Sequence, residues 1–259
     1  MAPYRALLDA CVLVPVSLAD TMLRVAEKGL YRPLWSDRIL TEALDAIAEI
    51  RPGADAAKRF TVMRQAFSEA LVTGWEGREV GIILPDPDDR HVVAAAIHGG
   101  AHAIVTANVA DFPSATLRPL GLEAVHPDDF LLDQLDLSPA AIVQVFSEQA
   151  ADTRRPPLSR QDLATILGRA GVPRFAAEVL RLMSGPPGEP YLAAPAVGGD
   201  RGSVAGSPRR NRQNGQGNRG ICLYNRLSFR DRGSSAANRT HFKTRRFFGV
   251  WQAANCYAA

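Results

Sequence analysis

The sequence predicts an α/β fold, a parallel sheet flanked by helices, followed by a small C-terminal helical segment and a disordered tail. Three observations carry this expectation. Short apolar runs suited to buried strands (Ala6-Leu7-Leu8, Ala103-Ile104-Val105-Thr106) alternate with longer stretches whose apolar residues recur at helical spacing. Such alternation favours parallel strands joined by right-handed crossovers. Acidic residues stand where strand-like runs end, the edge of an α/β sheet at which ligands bind. After Ser184 the periodicity stops.

Taken in order, residues 5–9 read as a buried strand, and Leu18, Met22, Leu23 and Val25 form a helical stripe. Tyr31 to Ser36 reads as a second strand. Ser36 is the expected N-cap of a helix over 37–50, with Ile39, Leu40, Ala43, Leu44 and Ile47 on one face. Pro52-Gly53 breaks the chain, and a helix is expected over 54–72 with Phe60, Met63 and Phe67 on one side. Val80 to Leu84 reads as a strand stopped by Pro85. Asp89 then opens a helix containing Ala94-Ala95-Ala96, which Gly99-Gly100 ends. Strands at 103–106 and 122–126 complete an α/β domain expected to occupy 4–137. The segment 138–183 reads as helices: one from Ser138-Pro139 to about Thr153, a break at Pro156-Pro157, one capped by Ser159, and one after Gly171-Val172-Pro173.

The net charge of +3 hides a division along the chain. Residues 184–259 hold twelve Lys/Arg against three Asp/Glu, a net +9, while 1–183 hold eighteen against twenty-four, a net −6. The tail is rich in Gly, Arg, Asn and Ser and too poor in patterned apolar surface to offset chain entropy, so it is expected to be disordered. It reads as an extension on which 1–183 does not depend; a basic RNA-holding tail is the functional alternative. Three scattered cysteines, Cys11, Cys222 and Cys256, lack metal-type or paired spacing, and Cys11 reads as a core thiol. With no transmembrane-length apolar run and no signal-peptide pattern, a cytoplasmic protein without membrane contact is expected.

The chemistry concentrates in four acids. Asp9 closes the first strand, Glu42 lies on the helix after Ser36, Asp89 opens the helix after the Asp86-Pro87-Asp88 turn, and Asp111 follows the strand at 103–106. Carboxylates converging at the strand ends repel one another unless a hard divalent cation neutralises them. The expected site therefore binds Mg²⁺ or Mn²⁺, and such sites handle phosphates. Each residue has a blander reading. Glu42 suits a solvated helix face, Asp86 and Asp88 suit turn and helix-start duties, and Arg38 and Arg90 suit solvated helix starts. His91, His98, His102 and His126 share no metal spacing and read as packing or surface residues.

The run Asp89-Arg90-His91-Val92-Val93-Ala94-Ala95-Ala96-Ile97, the run Ala103 to Pro113 and Leu7-Leu8-Asp9-Ala10-Cys11-Val12-Leu13 together resemble the PIN-domain nucleases. The closest resemblance is to VapC-type toxins of bacterial toxin–antitoxin pairs, in the subgroup with a C-terminal helical segment, and it covers roughly 4–183. It implies a PIN-like fold and a Mg²⁺- or Mn²⁺-dependent endoribonuclease. RNA as substrate, a cognate antitoxin and a homodimer are implied as partners. Asp9, Glu42 and Asp89 match the family's first three acids. Asn108 stands where the fourth acid usually lies, leaving Asp111 as the nearest carboxylate, and Thr106 matches the hydroxyl residue beside the cluster. Because of Asn108, a catalytically impaired PIN-like RNA- or partner-binding module remains the alternative. A dehalogenase-type hydrolase would need a second Asp two residues after Asp9, where Cys11 stands, and a dinucleotide site would need glycine in the first turn.

If the tail is an extension, a chain ending at Met183 should be soluble, cut the same RNA at the same bond and resist proteolysis better than the full chain. Loss of folding or a changed cleavage position on removing 184–259 would make the tail part of the working protein.

Overall fold

The computed structural model describes residues 4–53, 55–152 and 158–184. Five short parallel strands form one sheet: β1 (Arg5–Leu8), β2 (Arg32–Ser36), β3 (Leu71–Val72), β4 (Ala103–Val105) and β5 (Glu123–Val125), in the order β3-β2-β1-β4-β5. Leu7 pairs with Leu34 on one side and Ile104 on the other, so β1 is the central strand, and its Ala6, Leu7 and Leu8 are fully buried. Strands buried on both faces read as continuous apolar runs, which is why β1 and β4 were legible. The chain leaves β1 toward β2 and later returns to β4 on β1's other flank, so the order reverses between β1 and β4. That reversal opens the crevice in which α/β sheets seat ligands.

Helices cover the sheet. The short α1 (Ala10–Leu13) follows β1 directly, then come α2 (Val16–Glu27), α3 (Asp37–Ile50), α4 (Ala56–Ala66), α5 (Arg90–Gly99) and the short α6 (Ser114–Leu117). Ser36 caps α3 as expected, its hydroxyl accepting from Ile39 N at 3.3 Å. α5 ends at Gly100, whose left-handed φ of +62° glycine adopts without strain. Beyond the sheet lie α7 (Pro127–Leu137), α8 (Pro139–Asp152), α9 (Arg160–Arg169) and α10 (Pro173–Met183). α9 opens with the reciprocal cap between Ser159 and Asp162.

α8 is fixed to α2 by polar contacts. Thr21 Oγ1 donates to Gln149 Oε1 at 2.8 Å, and Arg24, buried, pairs with Asp20 on its own helix and with Asp152 of α8. Burial raises the Asp20 carboxyl to about 6 despite the Arg24 guanidinium beside it. Asp128 of α7 accepts from Phe175 N at 2.9 Å, joining α7 to the first turn of α10.

Three expectations fail locally. Residues 80–84 form no strand: Gly81 takes φ +89° and Val80 and Ile83 are exposed, so only Ile82 and Leu84 turn inward. The strand that pairs with β2 is instead Leu71–Val72, inside the helix expected over 54–72, which ends at Ala66. Two residues are too few to leave an alternation in the sequence. The helix α7, with Pro127 in its first turn and Asp128 and Asp129 following, was not anticipated. The expected break at Pro156-Pro157 and the expected basic tail past Ser184 lie outside the described residues.

The close seat of α5 on the sheet is testable at Gly99, where an added Cβ would meet Leu34 Cδ1 and Val72 Cγ2, both at 2.9 Å. Leu34 can yield, but the β-branched Val72 is stiff. Gly99→Ala should cost about 1–3 kcal/mol in chemical denaturation. An unchanged midpoint would mean that α5 has room to spare.

Candidate metal centre

Asp9 sits at the carboxyl end of β1, at the β1/β4 reversal, and is almost fully buried. Its carboxylate is held on both oxygens. Oδ1 accepts from Ala10 N at 2.7 Å, and Oδ2 accepts from Thr106 Oγ1 at 2.7 Å and Cys11 Sγ at 3.2 Å. Thr106 follows β4 and its hydroxyl accepts in turn from Asn108 N at 3.1 Å. Cys11 is a core thiol, as expected, but it also takes part in the site, accepting from Ala107 N at 3.2 Å. Burial pushes this thiol well above its ordinary value, so it remains a donor to Asp9. Burial likewise raises the Asp9 carboxyl, against the pull of its three hydrogen bonds, and Glu42 adds to the rise.

Asp89 precedes α5 without making a side-chain capping bond, and the turn-forming role falls to Asp86, which accepts from Asp88 N at 2.9 Å. The Asp89 carboxyl is raised to about 7, first by burial and then by the charges of Asp9, Asp86, Asp111 and Glu42. The charges of the other three predicted acids thus all act on Asp89. Asp111 ends a single 3-10 turn that starts after Asn108, and its N–H donates to Asn108 O at 2.9 Å.

Glu42, half-buried on α3, has two partners on the same oxygen: Arg38 Nε at 3.3 Å and His91 Nε2 at 2.9 Å. Arg38 also reaches Glu79 Oε1 at 3.5 Å and donates to Asp88 O at 3.3 Å, so it is anchored at the rim rather than freely solvated. His91 is the residue that sequence reasoning undervalued. It is buried, as a packing residue would be, but in contact with a site acid, and its position two residues after Asp89 was the available signal. Of the other histidines, His98 accepts from Arg78 Nε, His102 accepts from Arg5 N, and His126 caps α7.

The donor set, carboxylates beside a hydroxyl, suits a hard divalent cation, and the raised Asp89 marks the charge that such a cation would relieve. Among the described residues, no group of three or more His, Cys, Asp or Glu side chains closes on one point. A broad cavity of about 810 Å³ lies at the opposite, amino end of the strands, lined in part by Arg5, Tyr31, Arg32, Glu69 and His98. It contains none of the converging acids.

The fold is a parallel α/β sheet with acids near the carboxyl ends of its strands, and two segments of the chain match known families. Residues 5–110 match the family model for the PIN domain, and residues 127–181 match that for the VapC50 C-terminal domain. The two matched segments, in this order, are similar to VapC-type PIN-domain proteins with a C-terminal extension. It is 45% identical over 103 residues to a Mycobacterium tuberculosis (strain ATCC 25618 / H37Rv) protein provisionally named ribonuclease VapC50. That alignment covers 40% of this chain and 59% of the relative, so the chain spans somewhat more than half of the curated relative's length. No solved structure matches the chain. No helix among the described residues is long and apolar enough to cross a membrane.

The raised Asp89 gives a signed pH dependence. The unfolded chain releases this proton near 3.8, whereas the fold holds it to about 7, so stability falls as pH rises through that window. Asp89→Asn should melt above wild type at neutral pH and above, with the gap closing as the solution is acidified. Equal melting temperatures across the whole range would show that the acids do not strain the fold.

Proposed function

We propose that the protein is a divalent-metal-dependent endoribonuclease acting as the toxin of a toxin–antitoxin pair. The observation that carries this reading is the common field of Asp9, Glu42, Asp89 and Asp111 at the β1/β4 crevice, with Asp89 raised to about 7. Four acids facing one another disfavour bare RNA, so phosphate binding there needs a cation. The PIN-domain match and the ribonuclease named among its relatives support the same chemistry.

In this reading Asp9, Glu42 and Asp89 hold Mg²⁺ or Mn²⁺, with Asp111 as the fourth acid. When bound, such a cation would supply an activated water and would neutralise charge on the phosphate oxygens. The chain's own part is positioning. Thr106 and Cys11 hold one oxygen of Asp9, while Arg38, at the rim beside Glu42, lies where it can meet an RNA phosphate. The partners are an RNA substrate and a cognate antitoxin protein, the protein works in the cytoplasm, and the nuclease is a homodimer.

Asn108 supports a second reading, a catalytically impaired RNA- or partner-binding module, because it stands where the family's fourth acid usually lies. The charge of Asp111 does reach Asp89, which favours the active enzyme.

Cleavage of RNA should require Mg²⁺ or Mn²⁺, stop with chelator, and fall roughly 100-fold or more in Asp9→Asn and Asp89→Asn. Wild-type rates in either variant would remove the metal assignment. Asp111→Asn should slow cleavage more than Asn108→Ala does. RNA bound but uncut across a full Mg²⁺ titration would turn the assignment to the binding module.

A further inference from the structure

The geometry around Glu42 points to a residue outside the four acids, and the inference rests on the metal-site reading above. We propose that His91 is a positioning residue that holds the Glu42 carboxylate, from the protein interior, in its metal-ligating orientation. His91 is only 1% exposed. An imidazole so buried costs free energy unless its polar atoms find partners. Its Nδ1 has no hydrogen-bond partner among the described residues, and its Nε2 stands 2.9 Å from Glu42 Oε1. The ring's polar contact is therefore with a site acid, and an apolar side chain of similar size would pack there without leaving a nitrogen unpaired.

The arrangement has the form of an outer-shell contact. Arg38 and His91 both engage Oε1 of Glu42, and no contact to Oε2 is found among the described residues. One carboxylate oxygen is held by protein groups, and in the metal-site reading the other is the ligand atom. Arg38 is substantially exposed and its hold is screened by solvent, whereas His91 is enclosed and tilted against the buried Trp75 at a centroid distance of 6.0 Å. His91 also lies on the first turn of α5, two residues after Asp89. The contact thus fixes the spacing between two of the four acids across the crevice, from α5 to α3.

The test measures Mn²⁺ affinity of the full chain without RNA, alongside a melting curve for each variant. His91→Leu removes the donor while keeping the volume, and should weaken Mn²⁺ binding by about 10–100-fold, the usual effect of losing an outer-shell partner. His91→Gln places an amide nitrogen within reach of Glu42 and should stay within a few-fold of wild type. In a Glu42→Gln background, His91→Leu should cause no further loss, because its effect runs through that carboxylate. If His91→Leu does not fold, His91→Asn, whose shorter amide stops short of Glu42, should show the same loss. Wild-type Mn²⁺ affinity in a folded His91→Leu or His91→Asn would overturn the proposal, as would His91→Gln binding as weakly as His91→Leu. A full additional loss in the Glu42→Gln background would also overturn it. Absence of Mn²⁺ binding by wild type would remove the metal site and this role together, whereas wild-type binding with an unaffected His91→Leu removes only the role of His91.

Discussion

The hydrogen bond from Thr106 to Asp9, 2.7 Å long and closed to solvent, is the contact around which the site is organised. It exists because β1 and β4 are neighbours while their chain continuations diverge, which leaves a buried carboxylate and a buried hydroxyl side by side at the strand ends. A carboxylate in that place loses its hydration, and the donors from Thr106, Cys11 and Ala10 compensate only in part, since the group is still raised. Once Asp9 is fixed, every other acid is placed relative to it. Glu42 comes from the helix that Ser36 caps at the end of β2, Asp89 from the start of α5, and Asp111 from the turn after β4.

How much of this was legible follows from where each signal resides. Asp9 and the strands β1 and β4 were readable because a strand buried on both faces is a continuous apolar run, and a carboxylate ending it stands out, whereas Thr106 came with the resemblance to the PIN-domain nucleases. Ser36 was readable because capping is local chemistry. The stretch 80–84 misled because it has strand composition, and composition carries no information about whether a neighbouring strand exists to pair with. Leu71–Val72 was invisible for the converse reason: its pairing with β2 is a property of the assembled sheet. His91 was undervalued because a buried histidine and a histidine holding a carboxylate look the same until α3 and α5 are placed together. The role of Arg38 was hidden likewise, since Glu79 and Asp88 reach it from a distant loop.

Two groups of buried or half-buried acids among the described residues contrast in how their charge is met. Asp20 and Asp152 share Arg24, whose guanidinium answers both charges while tying α2 to α8. Removing Arg24 would leave buried charge uncompensated, the situation that typically costs about 3–5 kcal/mol. That group is close to self-sufficient, and its purpose is to hold the C-terminal helices on the sheet domain. Among the described residues, Asp9, Glu42, Asp89 and Asp111 have no such shared cation between them. Arg38 touches Glu42 alone among them, and Asp89 is pushed up by the other three.

An arrangement of this kind is unfavourable in isolation, which is why strongly perturbed carboxylates in a crevice indicate function more often than architecture. The fold tolerates it because the rest of the sheet is apolar and because the helical segment is fastened to α2 by the ion pairs of Arg24. The strain is confined to the strand ends, where an external ligand can relieve it. In the proposed reading that ligand is a divalent cation, whose charge and preference for hard oxygens suit carboxylates. A lone protonated carboxyl at Asp89 would lower the repulsion, but it would leave Asp9 and Glu42 without anything to bind.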